Sequence, residues 1–174
     1  MKIIGVDPGT LYGAVVLLDT STGRITSEAW DYRRIKGLSQ QERIREIADR
    51  IMVLALGADL IAHEMAIGAK FNIIPLASFV AVIQDRALCA GIPTLSVHPS
   101  KLKLFATGDG RAEKSSLKIA AYKEGIEFKT DHEADAHWIA KFGAASLAGG
   151  EGCLEYQKRA LEIAPKKKRK VSKP

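Results

Sequence analysis

Residues 1–10, MKIIGVDPGT, decide how this chain is read. Ile3, Ile4 and Val6 form a short apolar run rich in β-branched residues, the composition of a buried strand. Asp7 follows at once, and then Pro8-Gly9-Thr10. A carboxylate where a core strand meets a Pro-Gly turn is costly without a partner. Asp7 therefore has two readings. It caps the turn through its own backbone, or it ligates a metal from a rigid strand, with Gly9 letting a phosphate or metal come close. Other carboxylates converging on it would decide for the second.

Working outward, Gly13–Asp19 and Arg24–Trp30 read as two more strands, joined by the tight turn Thr20–Gly23. With Ile3–Asp7 they predict an antiparallel meander. Ser39-Gln-Gln-Glu42 has capping-box spacing, and Ile44, Ile47, Ala48 and Ile51 recur at helical spacing up to Gly57. The charges on that helix, Arg43, Arg45 and Arg50 with Glu42, Glu46 and Asp49, are read as a solvated outer face. Asp59–Glu64 repeats the pattern of the opening strand: short, apolar and acidic at its end. Reached through a helix, it is expected to run parallel to an earlier strand.

The second half alternates likewise. Residues 72–90 predict a long apolar helix, with Ala77, Ser78 and Ala81 small enough for close packing against another helix. Pro93–Val97 reads as a fifth strand. Helices are predicted from Pro99 to Gly108, over Ala112–Tyr122 and over Asp131–Ala148. Gly149-Gly150 precedes a last amphipathic segment, Cys153–Ile163. The organisation expected is one domain over 1–150, the amphipathic segment 151–164, and a basic tail 165–174.

Hydrophobic residues make up 47% and charged residues 26%, as in globular proteins. No apolar run reaches membrane-spanning length, nothing reads as a signal peptide, and no membrane role is expected. Cys89 and Cys153 lack metal-site spacing and are expected to be reduced thiols. The net charge is +6, but the last ten residues carry six basic side chains and no acidic ones. Residues 1–164 are left with 20 basic and 20 acidic residues. A folded body that binds DNA must then do so through local patches.

The cluster at 131–137, DHEADAH, supplies further donors. His132 and Asp135 lie three apart on a helix and share a face. Asp131 and Glu133 are read as charges favoured by a helix N-terminus, and His137 as a packed or exposed helix residue. Carboxylates from two strand ends and this helix make a hard, oxygen-rich site suited to Mg²⁺ or Mn²⁺. Two such ions can serve both the attacking and leaving oxygens of a phosphodiester. Zinc ranks low, because clustered cysteines and histidines are lacking.

In order and spacing, GVDPGT with Gly13, HE at 63–64, GDGRAEKSSL at 108–117 and HEADAHWIA at 132–140 resemble the RuvC family of Holliday-junction resolvases. A viral or phage-type member is one form of that resemblance. The match runs through nearly all of residues 1–148. It implies an α/β, RNase H-like fold: a five-stranded mixed sheet, antiparallel over the first three strands and parallel over the last two, flanked by helices. It implies a Mg²⁺-dependent structure-selective endonuclease leaving 5′-phosphate and 3′-hydroxyl ends. Carried over by position, Asp7, Glu64, His132 and Asp135 would hold the metals, with His132 either a ligand or the group handling the water's proton. Lys114 resembles the family's lysine near the scissile phosphate. Lys101, Lys103, Arg111 and Lys118 would support the DNA backbone, and Lys70, Ile67 and Phe71 would lie in the DNA-facing loop.

The chain departs from the family at that loop. Where the family often carries a wedging aromatic, this chain has Ile67, and Phe71 comes four residues later. The resemblance further implies a homodimer, with the helix at 72–90 as candidate interface, a four-way DNA junction as substrate, and a branch-migration helicase as partner. Rival readings are a debranching nuclease acting on forks and flaps, a catalytically silent DNA-binding module, and an ATP-binding member of the wider superfamily. The tail Pro165–Val171, PKKKRKV, matches the nuclear localisation signal of a viral large T antigen. It is read as an engineered tag, a natural nuclear signal or a basic DNA-binding extension. The expected location is the cytoplasm of a bacterial or phage-infected cell, or the nucleus if the tail acts as a signal.

Overall fold

The computed structural model describes residues 1–33, 35–67, 73–113 and 115–162. Lys70, Phe71, Lys114 and the basic tail lie outside the described residues. The strands are β1 (Lys2–Asp7), β2 (Tyr12–Asp19), β3 (Arg24–Asp31), β4 (Leu60–Glu64) and β5 (Thr94–Val97). The helices are α1 (Gln40–Leu54), α2 (Ile73–Cys89), α3 (Pro99–Thr107), α4 (Ser115–Lys123), α5 (Asp131–Leu147) and α6 (Glu155–Leu161). The strands form one sheet in the order β3-β2-β1-β4-β5. β1 is antiparallel to β2 and β2 to β3, while β1, β4 and β5 run parallel. The expected mixed α/β sheet is thus present, with β1 at its centre.

Strand alternation sorts the side chains onto two faces. Ile4, Val6, Val15 and Ile61 face α1 and α2, packing with Ile47, Ile51, Phe79 and Ile83. Ile3, Ala14, Val16, Leu60 and Ala62 face α5, with Trp138, Ile139, Phe105 and Phe142 beyond them. Asp7 is two residues from Gly5 and four from Ile3, so it lies on the α5 side, as does Glu64, two residues past Ala62. Both acidic strand ends therefore emerge on one face of the sheet.

The α5 side is built from small residues at its centre. A Cβ added to Gly5 would lie 2.0 Å from the Ala136 carbonyl oxygen and 2.5 Å from the Ala140 nitrogen. One on Gly143 would come within 3.1 Å of Ile3 and Ala62. The helix thus lies directly on the sheet backbone, which brings its first turn to the end of β1.

The helix ends follow their sequence signals. Ser39 and Glu42 form the expected capping box on α1. α3 stops at Gly108, whose φ of 83° is the left-handed geometry glycine tolerates. The Asp109 carboxylate then accepts from the Arg111 N–H at 2.8 Å, and α4 begins only at Ser115, later than the predicted Ala112. α6 packs on α3: the Gln157 amide donates to the Phe105 carbonyl at 3.3 Å. Ala160 and Leu161 join the α5-side core.

The reading of the α1 charges as a solvated face holds for Glu42, Arg45, Glu46, Asp49 and Arg50, which are exposed even where they pair with neighbouring elements, and is corrected for Arg43. Arg50 pairs with Glu28 of β3, Asp49 with Arg86 of α2, and Glu46 accepts from the Tyr32 hydroxyl at 2.6 Å. Arg43 is half-buried and reaches toward the turn after β1. Neighbouring elements supply partners that helical periodicity does not show.

Candidate active site

The β1–β2 turn, residues 8–11, is held from several sides. The Trp30 indole N–H donates to the Gly9 carbonyl at 2.8 Å. The Tyr32 N–H donates to the Leu11 carbonyl at 2.6 Å. Arg43 donates to the Leu38 carbonyl at 2.6 Å and to the Thr10 carbonyl at 3.3 Å, tying α1 to the turn. Gly9 is required by close approach, since a Cβ there would lie 1.9 Å from the Tyr12 carbonyl oxygen. The turn is thus a fixed platform for Asp7, whose neighbouring residue Val6 is locked in the sheet.

Asp7 is only 7% exposed. Its Oδ2 accepts from the Nδ1–H of His132 at 2.5 Å, across 125 residues of sequence. A ligand atom from each of Asp7, His132 and Asp135 lies within 4.8 Å of the others. Asp135 is itself 8% exposed. The convergence that the metal reading of Asp7 requires is present. The two carboxylates are the oxygen donors a hard divalent cation takes, whereas the imidazole is a donor of the kind softer ions prefer.

Glu64 is not one of that trio. It borders a hollow of about 280 Å³ with Asp135, Lys103, Leu102, Leu117 and Pro99, next to the trio through their shared Asp135. Its strand is pinned from the other face. His63 is fully buried; its Nδ1–H donates to the Glu64 carbonyl at 3.0 Å, and its Nε2 accepts from the Gln84 amide of α2 at 3.1 Å. Burial holds the His63 imidazole below its ordinary pKa, so it is the neutral tautomer these two bonds need.

The rest of the acidic cluster divides as the sequence suggested. Glu133 caps α5: Thr130 donates to it from N–H and hydroxyl at 2.9 and 3.0 Å, and the Ser27 hydroxyl adds a bond at 2.8 Å. Asp131 lies 3.8 Å from Lys118. His137 is packed, 1% exposed, between Phe128 and Trp138. Burial pushes its pKa down to about 4, with a smaller contribution from Lys141.

The basic candidates are dispersed. Lys103 reaches the hollow beside Glu64 and Asp135. Lys101 bonds the Glu162 carbonyl at the end of α6, and Lys118 donates to the Lys129 carbonyl at 3.2 Å. Arg111 is exposed beyond α3, and Ile67 is 48% exposed after β4. Sequence reasoning missed Trp30, Arg43 and His63 as supports of the site. A tryptophan opposite Gly13 across a predicted hairpin was the available signal for the first.

A central β1 flanked by an antiparallel hairpin and two parallel strands, with acidic groups meeting α5 on one face, defines an RNase H-like domain. No family model matches the chain. A curated relative from Gloeobacter violaceus, crossover junction endodeoxyribonuclease RuvC, is 32% identical over 160 residues, 82% of this chain and 87% of its own length. The solved structure of Thermus thermophilus RuvC superposes with a TM-score of 0.70 at 20% identity, covering 86% of this chain and 98% of that one. The same protein in complex with a Holliday junction substrate also gives a TM-score of 0.70, at 18% identity, covering 86% and 97%. This chain belongs to the RuvC family.

Proposed function

We propose that this chain resolves four-way DNA junctions by divalent-metal-assisted hydrolysis of phosphodiesters. The observation that carries the reading is the meeting of Asp7, His132 and Asp135 within 4.8 Å, with Glu64 in the adjoining hollow. Asp7, Asp135 and Glu64 would hold Mg²⁺, or Mn²⁺ in its place, and His132 is either a fourth ligand or the proton-handling group. Such an ion supplies Lewis-acid charge to phosphodiester oxygens and makes water a stronger nucleophile at neutral pH.

The chain's own residues set the geometry of the reaction. Water attacks phosphorus in line, a P–O bond forms, and the bond to the 3′ oxygen breaks; that oxygen takes a proton from solvent, leaving a 3′-hydroxyl and a 5′-phosphate. Asp7 fixes the imidazole of His132 through Nδ1, which leaves Nε2 to accept the proton of the attacking water. Lys114, from the matching motif, is assigned to the scissile phosphate. Lys103, beside Glu64 and Asp135, would contact the adjacent backbone, and Lys101, Arg111, Lys118 and Lys70 are assigned to the DNA backbone by the family resemblance.

A four-way junction cut symmetrically needs two sites, so the working form is a homodimer. The exposed stripe Ile74, Ala77, Ser78, Ala81 and Leu88 on α2 is its candidate interface. Ile67, with Phe71 four residues on, would enter the junction core where relatives place an aromatic. An aliphatic group stacks less well there, which favours a second reading, relaxed action on forks and flaps.

Cleavage of a synthetic mobile junction, with and without Mg²⁺ and with both nicks mapped, tests the assignment. Paired nicks that require the ion are expected. Asp7→Asn should cut at least about a thousandfold more slowly yet retain junction binding. Normal cutting by that variant would refute the site. Equal rates on flaps, forks and junctions would establish the relaxed reading instead.

A further inference from the structure

The chemistry above makes no use of Tyr12. It opens β2 directly after the site turn and stays 45% exposed. Its ring centroid is 5.0 Å from that of His132, tilted by 51°. The Arg33 guanidinium carbon lies 5.0 Å from the same ring centroid. Arg33 is in turn fixed by Asp31, which accepts from its Nε at 2.8 Å and its Nη2 at 2.5 Å. Asp31 is the cross-strand partner of Tyr12. A fork on a carboxylate and a cation over a ring are both orienting contacts. Together they hold a half-exposed aromatic at a set angle beside the metal-binding trio.

Tyr12 is also the wall between two hollows. One, of about 490 Å³, includes Asp7, Gly9, Thr10 and Arg43; the other, of about 340 Å³, includes Arg33 and Thr130. His132 borders both. A plain wall residue in the core would bury its ring. Tyr12 instead stays 45% exposed on the border of both hollows.

We propose that Tyr12 and Arg33 form a stacking platform for one nucleotide of the cleaved DNA strand, adjacent to the scissile phosphate. The base stacks on the part of the Tyr12 ring that Arg33 leaves uncovered, and Arg33 takes the neighbouring phosphate while steadying the ring. Every base has a π-face, so the platform accepts all four and favours the larger purines. It sets which nucleotide beside the cut is held rather than reading hydrogen-bond edges. The inference rests on the nuclease reading of the site.

The test uses the full chain and a synthetic four-way junction in which each nucleotide within three of the nick is replaced, one at a time, by an abasic site. Binding is measured without divalent metal. Tyr12→Ala should weaken binding to the intact junction by about five- to 150-fold, and Tyr12→Phe should remain within about twofold of wild type. At one position the abasic substitution should weaken wild type by a similar factor and cost Tyr12→Ala nothing further. Tyr12→Leu keeps bulk without a π-face and should behave as Tyr12→Ala, which removes collapse of the site as an explanation. Arg33→Gln should lower the slope of log affinity against log salt by about one.

Losses that add at every position would overturn the platform. So would Tyr12→Ala and Tyr12→Leu variants that bind normally and only cut slowly, which would make Tyr12 a support for His132. Wild-type protein that neither binds nor nicks the unmodified junction refutes the nuclease reading itself, whereas wild-type activity without coupling refutes the platform alone.

Discussion

The two faces of the sheet are packed to different ends. Against α1 and α2, the strands present Ile4, Val6 and Val15 to Ile47, Ile51, Phe79 and Ile83. Large side chains there separate backbone from backbone and bury much apolar surface. Against α5, the centre of β1 presents Gly5 to Ala136 and Ala140. Little side chain intervenes, and the helix backbone meets the strand. The first face supplies burial; the second fixes a distance, because His132 and Asp135 must reach Asp7.

The largest expected effect comes from filling the narrow face. Gly5→Ala places a methyl inside the Ala136 carbonyl, with backbone on both sides and no flexible side chain to yield. Urea unfolding should show a loss of about 4 kcal/mol or more, and any folded remainder should lack junction cleavage. A Gly5→Ala protein that cuts normally would erase the proposed difference between the faces. On the broad face, Ile47→Ala should cost about 3 kcal/mol through a cavity while leaving cleavage per folded molecule nearly unchanged.

A pH effect sharpens the same contrast. His137 is the α5 residue whose two ring nitrogens are buried without a hydrogen-bond partner. Its pKa is about 4 in the fold, below the ordinary 6.5. The unfolded chain therefore binds a proton that the folded chain refuses. The stability is fully present above pH 6.5 and falls as the pH drops toward 4. At pH 5 the loss is roughly 2 kcal/mol. His137→Leu should remove that slope, as denaturant midpoints from pH 4 to 8 would show; an unchanged slope would assign it to other groups. The smallest effect is expected at the turn. Trp30→Phe gives up the bond to Gly9, worth about 1 kcal/mol, and should slow cleavage more than it lowers the unfolding midpoint.

Much of this was legible in the residues. The short apolar runs ending in Asp7 and Glu64 gave strands and their acidic ends, and Ser39-x-x-Glu42 gave the start of α1. His132 and Asp135 shared a face by spacing alone. Arg43 was not legible, because a helical arginine among charges looks the same whether it meets water or the Thr10 carbonyl. Thr130-x-x-Glu133 had capping-box spacing too, but Glu133 showed only as a charge near a helix start. The Tyr12–Arg33 contact depends on β2–β3 pairing that places Asp31 opposite Tyr12. The significance of Gly5 depends on a helix more than 120 residues away.

That separation has a consequence for how the protein is made. β1 lies between β2 and β4 in the sheet, so the hairpin partner arrives early during synthesis and the parallel partner much later. Non-local pairings of this kind slow folding. Asp7 then waits for α5, which emerges last of the site's elements, before its bond to His132 can form. A nascent or truncated chain ending before residue 132 carries all five strands and only half of a nuclease centre. On the nuclease reading, the power to cut DNA arrives with the docking of α5 rather than growing in strand by strand.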